Sequence, residues 1–415
     1  MKLVLTVSAL LSLAWTGLAA APPDGVDRET LTGKVLAGYQ GWFACPGDGS
    51  DVGGWHHWLR LPDKLSVEMW PDVSEFDQDE LFDSGLQMRD GSPARLFSSV
   101  TNKTVARHFQ WMKVAGIDGI LLQRFIGEVQ DPRFFKFRNK VTSEVMQSAE
   151  VSGRVIALEY DMAASQADQV MVDWKFLVDE MKLTKSPRYL RHRGKPVLAL
   201  WGLGFTHREG SAEQAQALVD WFQKDAPERY RATVIGGVPT GWRTGSGDSQ
   251  PGEAWAKVYR TMEVISPWSV GRFADDAGAD RFRKDFLEPD LAETKQLGID
   301  YLPVVWPGFS WKNLHDGPEN QIPRRCGKFY WRQVFNAASS GAGMLKVAMF
   351  DEVDEATAIF KTAANSASAP SDVWTLTLDA DGQALPSDWY LRLAGESARL
   401  LRKEIPLSEK MPIQP

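Results

Sequence analysis

Two glutamates three residues apart, Glu352 and Glu355, stand in the acidic run Asp351-Glu352-Val353-Asp354-Glu355, directly behind the apolar segment LKVAMF. Glutamates at this spacing are commonplace on exposed helix faces, where they only bind water. Directly after a strand that feeds a pocket, the same spacing puts both carboxylates on one side of the first turn. Like charges crowded into a partly dry site are driven apart in proton affinity, so that one is an acid and the other a base. Cleavage of a glycosidic bond needs that combination.

A second set of residues falls at the ends of the other apolar runs. In chain order these are Tyr39 and Trp42, Gln123 and Arg124, Glu159 and Asp161, Trp201, Trp242 with Arg243, Trp268, and Trp306 with Trp311 close behind. The sequence holds 17 tryptophans, 20 phenylalanines and 8 tyrosines. Flat rings cover the C–H faces of sugars, although a large aromatic core would use the same residues. The shared position of these side chains favours a carbohydrate cleft. His57 and Trp58, in the run Trp55-His56-His57-Trp58, read either as substrate-binding groups or as packing. No histidine or cysteine spacing suits a metal, so no metal and no cofactor is expected. A serine-hydrolase elbow is absent from the sequence, and Asp379-Ala380-Asp381-Gly382 reads as a turn, because the rest of a calcium loop does not follow.

The elements that must position these groups alternate regularly. Short apolar runs at 34–42, 117–123, 155–160, 196–201, 232–236, 264–268, 301–306 and 345–350 read as eight strands. Amphipathic stretches at 104–115, 137–151, 168–181, 212–224, 253–262, 280–297, 329–339 and 387–403 read as helices between and after them. Such alternation predicts a parallel sheet, and eight units predict a single (β/α)₈ TIM barrel whose strand ends converge on one pocket. A doubly wound sheet would carry a Gly-rich phosphate turn after its first strand, and none is present. About 60 residues separate the first strand from the first clear helix. An insertion of that length after a barrel strand is expected to lie over the mouth. No linker divides the chain, and 363–371 reads as a loop within the one domain.

Residues 1–20 carry one lysine and an apolar run that ends in small residues, the pattern of a signal peptide. The expected product is a glycoside hydrolase domain over 21–415, secreted or periplasmic, with no stable membrane insertion. The formal charge of −7 gives no reason to expect a nucleic-acid partner. Cys45 and Cys326 would enter an oxidising compartment, where they either bridge or remain two buried thiols. Asn102-Lys103-Thr104 is a glycosylation sequon. Oligomeric state is not legible.

Taken together, GYQGWF followed by GWHHW, then GIDGILLQRF, HRGKPVLALW, VVWPGFSW and above all KVAMFDEVDEAT resemble glycoside hydrolase family 99, the endo-α-mannosidases, and the related family 71/99-like proteins. The resemblance runs through most of the chain after residue 20. It implies a (β/α)₈ fold, no metal, a glycan substrate, and a catalytic pair at Glu352 and Glu355. It further implies endo action with retention of configuration through a 1,2-anhydro sugar, Glu352 acting as base on the sugar 2-hydroxyl and Glu355 as acid/base. Tyr39, His57 and Trp58 match cleft positions. The family segment typically reads N-E-W-H-E-G-T; here Asp351 replaces the Asn, Val353 the Trp, Asp354 the His and Ala356 the Gly, which alters the surroundings of the cleaved sugar. A carbohydrate-binding barrel without catalysis, and a glycosidase for another linkage in an α-glucan or a pentose polymer, are the alternatives.

Overall fold

The computed structural model describes residues 25–61 and 64–415; the proposed signal segment lies outside them. The chain opens with β1 (Val35–Tyr39), and residues 40–101 then carry two antiparallel hairpins, β2 (Leu59–Leu61) with β3 (Lys64–Leu65), and β4 (Leu81–Gln87) with β5 (Pro93–Phe97). Strand and helix then alternate: α1 (Asn102–Ala115), β6 (Gly119–Phe125), α2 (Pro132–Ser152), β7 (Val155–Asp161), α3 (Ala167–Asp179), the short β8 (Arg191–His192), β9 (Lys195–Trp201), α4 (Ala212–Asp220), β10 (Thr233–Pro239), α5 (Glu253–Thr261) and β11 (Val264–Trp268). Helices α6 (Asp276–Phe282) and α7 (Glu288–Leu297) lead to β12 (Asp300–Tyr301), β13 (Val304–Val305), the four-residue α8 (Lys312–His315), α9 (Lys328–Ser339), β14 (Leu345–Val347) and α10 (Trp389–Leu401).

One sheet holds the molecule together, in the order β12-β11-β10-β9-β7-β6-β1-β14-β13. Every pairing along that path is parallel, and only β8 adds to it antiparallel. Strands buried on both faces need apolar residues at nearly every position, which is why β1, β6, β7 and β10 read as continuous runs. The sheet curls with helices packed around it, the architecture of an α/β barrel. Its path begins at β12 and ends at β13, which only Leu302 and Pro303 separate in sequence. Proline has no N–H to donate to a ladder, so the run predicted as one strand at 301–306 forms two short pieces.

Helices start and stop on local signals. Asp131 accepts from the Arg133 N–H ahead of Pro132 at the start of α2, and Gly153 closes that helix at φ 73°. Both cysteines are free and buried, so the bridge considered above is not formed. The Cys45 thiol points at the Phe97 carbonyl in the β5 hairpin, whereas Cys326 faces the backbone of Asp381.

Candidate active site

A cleft of about 530 Å³ opens at the C-terminal ends of the parallel strands. Of the side chains expected there, Trp42, Gln123, Asp161, Trp201, Trp268, Trp311, Glu352 and Glu355 line it. A larger groove of about 920 Å³ lies at the other end of the sheet, lined mainly by Gly, Ala and Leu around 338–343 and 400–407, with no carboxylate pair.

Glu352 is buried, and both its oxygens receive donors: the Gln40 amide on Oε1, and the Thr357 hydroxyl on Oε2 at 2.6 Å. Burial first, then the nearby Glu355 and Asp354, hold its proton affinity well above the usual carboxylate range. Glu355 is less enclosed and takes a hydrogen bond from the Trp311 side chain; burial, with Asp354 adding to it, pushes its pKa to about 7. Both carboxyls are thus held above the usual range, and the two donors on Glu352, against one on Glu355, only moderate the effect of its burial.

The loop that carries them is fastened from several sides. Asp351 receives the backbone N–H groups of Gln40 at 2.7 Å and Gly41 at 2.9 Å, tying the end of β14 to the end of β1, while burial pushes its pKa to about 7. Val353 offers its carbonyl to the N–H groups of Glu68 and Met69. Arg324, buried, donates to the carbonyls of Ala356 and Ala358 at 2.8 and 2.7 Å. Asp354 meets His57 Nδ1 at 3.0 Å, and burial raises its pKa to about 7 while lowering that of His57 to about 3. The His57 ring in turn lies flat on Trp42, centroids 3.7 Å apart and planes within 6°. His57 therefore backs a cleft residue and does not line the cleft itself.

Several expected contacts are corrected by the structure, and strand parity explains two of them. Gln123 and Glu159 are paired across β6 and β7 and point inward; their neighbours Arg124 and Tyr160 point outward, where both bind Asp173 of α3 at 2.6–2.7 Å. Glu159 is inward but covered, held by Lys346 and Gln123 beneath the cleft floor. Tyr39 is buried with its hydroxyl 2.9 Å from His108 Nδ1. Trp58 stacks on Phe43 and donates to the Phe97 carbonyl. Trp242 donates to Asp290 outside the sheet, and Trp306 packs between Phe273 and Phe329. These three indoles belong to the core.

The sequence reading missed Gln40, His207, Arg208, Arg272, Lys346 and Met349 as cleft-lining residues. Of these, only Lys346 left a sequence signal, a lysine in the middle of an apolar strand. Arg208 pairs with Asp161 at 2.8 Å and lies over the Trp201 ring, and Arg272 pairs with Asp248. Among the described residues one trio, His56, His57 and Glu128, has metal-ligand spacing. Its members are already engaged: Glu128 with Arg138 at 2.5 Å and with His56, and His57 with Asp354.

No family model matches the chain, and no curated protein does. Solved structures do match. The family 99 endo-α-mannosidase of Bacteroides thetaiotaomicron superposes with a TM-score of 0.66 at 14% identity, over 90% of this chain and 99% of that one. The same enzyme in complex with bis-tris-propane gives 0.65 at 16% identity over the same shares. A glycoside hydrolase-like protein gives 0.53 at 13% identity, over 91% of this chain and 97% of that one. At these identities the shared property is the fold, which is the fold that the resemblance to family 99 implied.

Proposed function

We propose that the protein is a glycoside hydrolase acting on a poly- or oligosaccharide. The observation that carries this reading is the pair Glu352 and Glu355, lining one aromatic-walled cleft with unequal hydrogen-bond donors. We read residues 300–305 as a single interrupted strand, which makes the sheet an eight-stranded (β/α)₈ barrel with 40–101 inserted after its first strand. Residues 1–20 are a leader that sends the enzyme out of the cytoplasm.

In this reading Glu352 takes the proton of a sugar 2-hydroxyl, whose oxygen attacks C1 to form a 1,2-anhydro sugar, while Glu355 gives its proton to the departing oxygen. Glu355 then activates the water that opens the anhydro ring, and the anomer is retained. The open cleft suits cleavage within a chain. Release of reducing ends from a broad glycan panel tests the assignment. Glu352→Gln and Glu355→Gln should each lower turnover at least ~100-fold while folding is kept. A wild-type protein that binds glycans and cleaves none would make it a binding barrel. Inversion seen by NMR in the first-formed product, or a covalent adduct with a 2-fluoro sugar, would remove the anhydro route and leave the glycosidase.

A further inference from the structure

Lys346 stands in the middle of β14 with its side chain 2% exposed, turned into the interior of the sheet. Its Nζ lies 2.6 Å from each oxygen of Glu159 on β7 and 5.2 Å from the ring centre of Trp268 at the end of β11. Gln123 donates its side-chain amide to the same Glu159. Lys346, Gln123 and Trp268 line the cleft in company with Glu352; Glu159, under them, does not.

A lysine ammonium has three N–H groups. Two are taken by Glu159, and among the described residues the third has no acceptor. The Gln123 side-chain carbonyl likewise receives no donor from the described residues. The floor therefore presents a donor and an acceptor side by side beneath an indole, with the lysine's charge matched from below. Burying two opposite charges costs desolvation that an apolar pair of the same size would avoid, so nothing in the packing calls for them here. A sugar hydroxyl both donates and accepts, and would complete both groups.

We infer that Lys346 and Gln123 form a hydroxyl-reading subsite on the cleft floor, which selects the sugar bound beside Glu352. The inference rests on the glycan reading of the cleft. Because Glu159 neutralises Lys346, the subsite recognises a neutral hydroxyl, and a sugar lacking that hydroxyl leaves two buried polar groups unpaired.

The probes are disaccharides of mannose, glucose, galactose and xylose together with their monodeoxy analogues, with binding read by calorimetry and melting temperature as the control for folding. One monodeoxy analogue should bind the wild type about 10- to 100-fold more weakly than its parent. The double variant Lys346→Met with Glu159→Gln, which leaves no lone buried charge, should bind the parent that much more weakly and lose the discrimination. Gln123→Met keeps the Lys346–Glu159 pair and should lose the same discrimination, so the outcome does not depend on one variant folding. A folded variant that binds and discriminates like wild type overturns the subsite alone. A wild type that binds none of the panel overturns the glycan reading, and the subsite with it.

Discussion

Glu355, the acid of the proposed mechanism, holds a proton that also bears on stability, and the two effects can be separated. Its pKa near 7 in the fold, against 4.5 as the ordinary value, means that the folded protein holds a proton the unfolded chain has released. The stability attached to that proton is complete below about pH 4.5 and is lost as pH climbs through about 7. His57, pulled down to about 3 from 6.5, acts in the opposite direction, but only below its unfolded value. His57 is present in wild type and variant alike, so its contribution cancels when the two are compared at one pH. Glu355→Gln, which cannot ionise, should melt roughly 2–4 °C above wild type at pH 8. The gap should close toward pH 5. An equal gap at both pH values would mean that burial does not hold the proton on Glu355. At this scale the place of the two glutamates in the cleft was legible because the run they follow reads as the eighth strand, whose end faces the pocket. The cleft-lining set was legible only in part. An aromatic at a strand end lines the cleft or joins the core according to which face it occupies, as Trp201 and Trp242 do. A shift of one residue in register reverses the answer.

Among the elements, the segment between β1 and α1 does more than lie beside the cleft. Glu68, fully buried, accepts from the Ser310 hydroxyl at 2.6 Å, the Asn313 N–H at 2.6 Å and the Leu314 N–H at 3.3 Å. Its own N–H binds Val353 between the two glutamates, and its carbonyl receives the Leu376 N–H. One residue, through its side chain and its backbone, thus holds the Trp311 turn against the loop of the glutamate pair. Glu68→Ala should cost about 2–4 kcal/mol in urea unfolding, since three donors lose a buried partner. Turnover should fall with it, because Trp311, the donor to Glu355, would be released. Glu68→Gln keeps the shape and an acceptor, and should cost about 1 kcal/mol. Equal stability of wild type and Glu68→Ala would show that the turn holds without it. None of this was visible in advance. The strands of the sheet announce themselves by continuous apolar runs, but Glu68, Met69 and Trp70 bond through their backbones to residues 353, 363 and 376, far along the chain, which no local pattern reveals. The seventh run was legible as one strand and not as two pieces, because the effect of Pro303 depends on which neighbour asks for its N–H. Ala356 is a further departure: where the family segment carries Gly, this backbone still takes a φ of 54°, at a cost of about 1 kcal/mol for a residue with a Cβ.

Across the whole molecule, charge bears on which glycan the proposed activity would take. The protein carries a formal charge of −7, and the cations that line the cleft are each matched by a carboxylate: Lys346 by Glu159, Arg208 by Asp161 and Arg272 by Asp248. With Glu352 and Glu355 added, the cleft has no surplus positive charge to hold a polyanion. A bidentate pair such as Arg208 with Asp161, stacked on Trp201, is suited instead to vicinal hydroxyls over an apolar ring face. Neutral mannans, glucans or xylans should therefore be cleaved in preference to polyuronates and sulfated chains of comparable length, by at least ~10-fold in kcat/KM. Activity on the neutral chain should change less than about twofold between 20 and 300 mM salt, because no long-range attraction brings it in. The measurement is reducing-end release from matched neutral and anionic polysaccharides across that salt range. A preference for the anionic chain that fades as salt rises would show that Arg208 and Arg272 exchange their carboxylates for the substrate's.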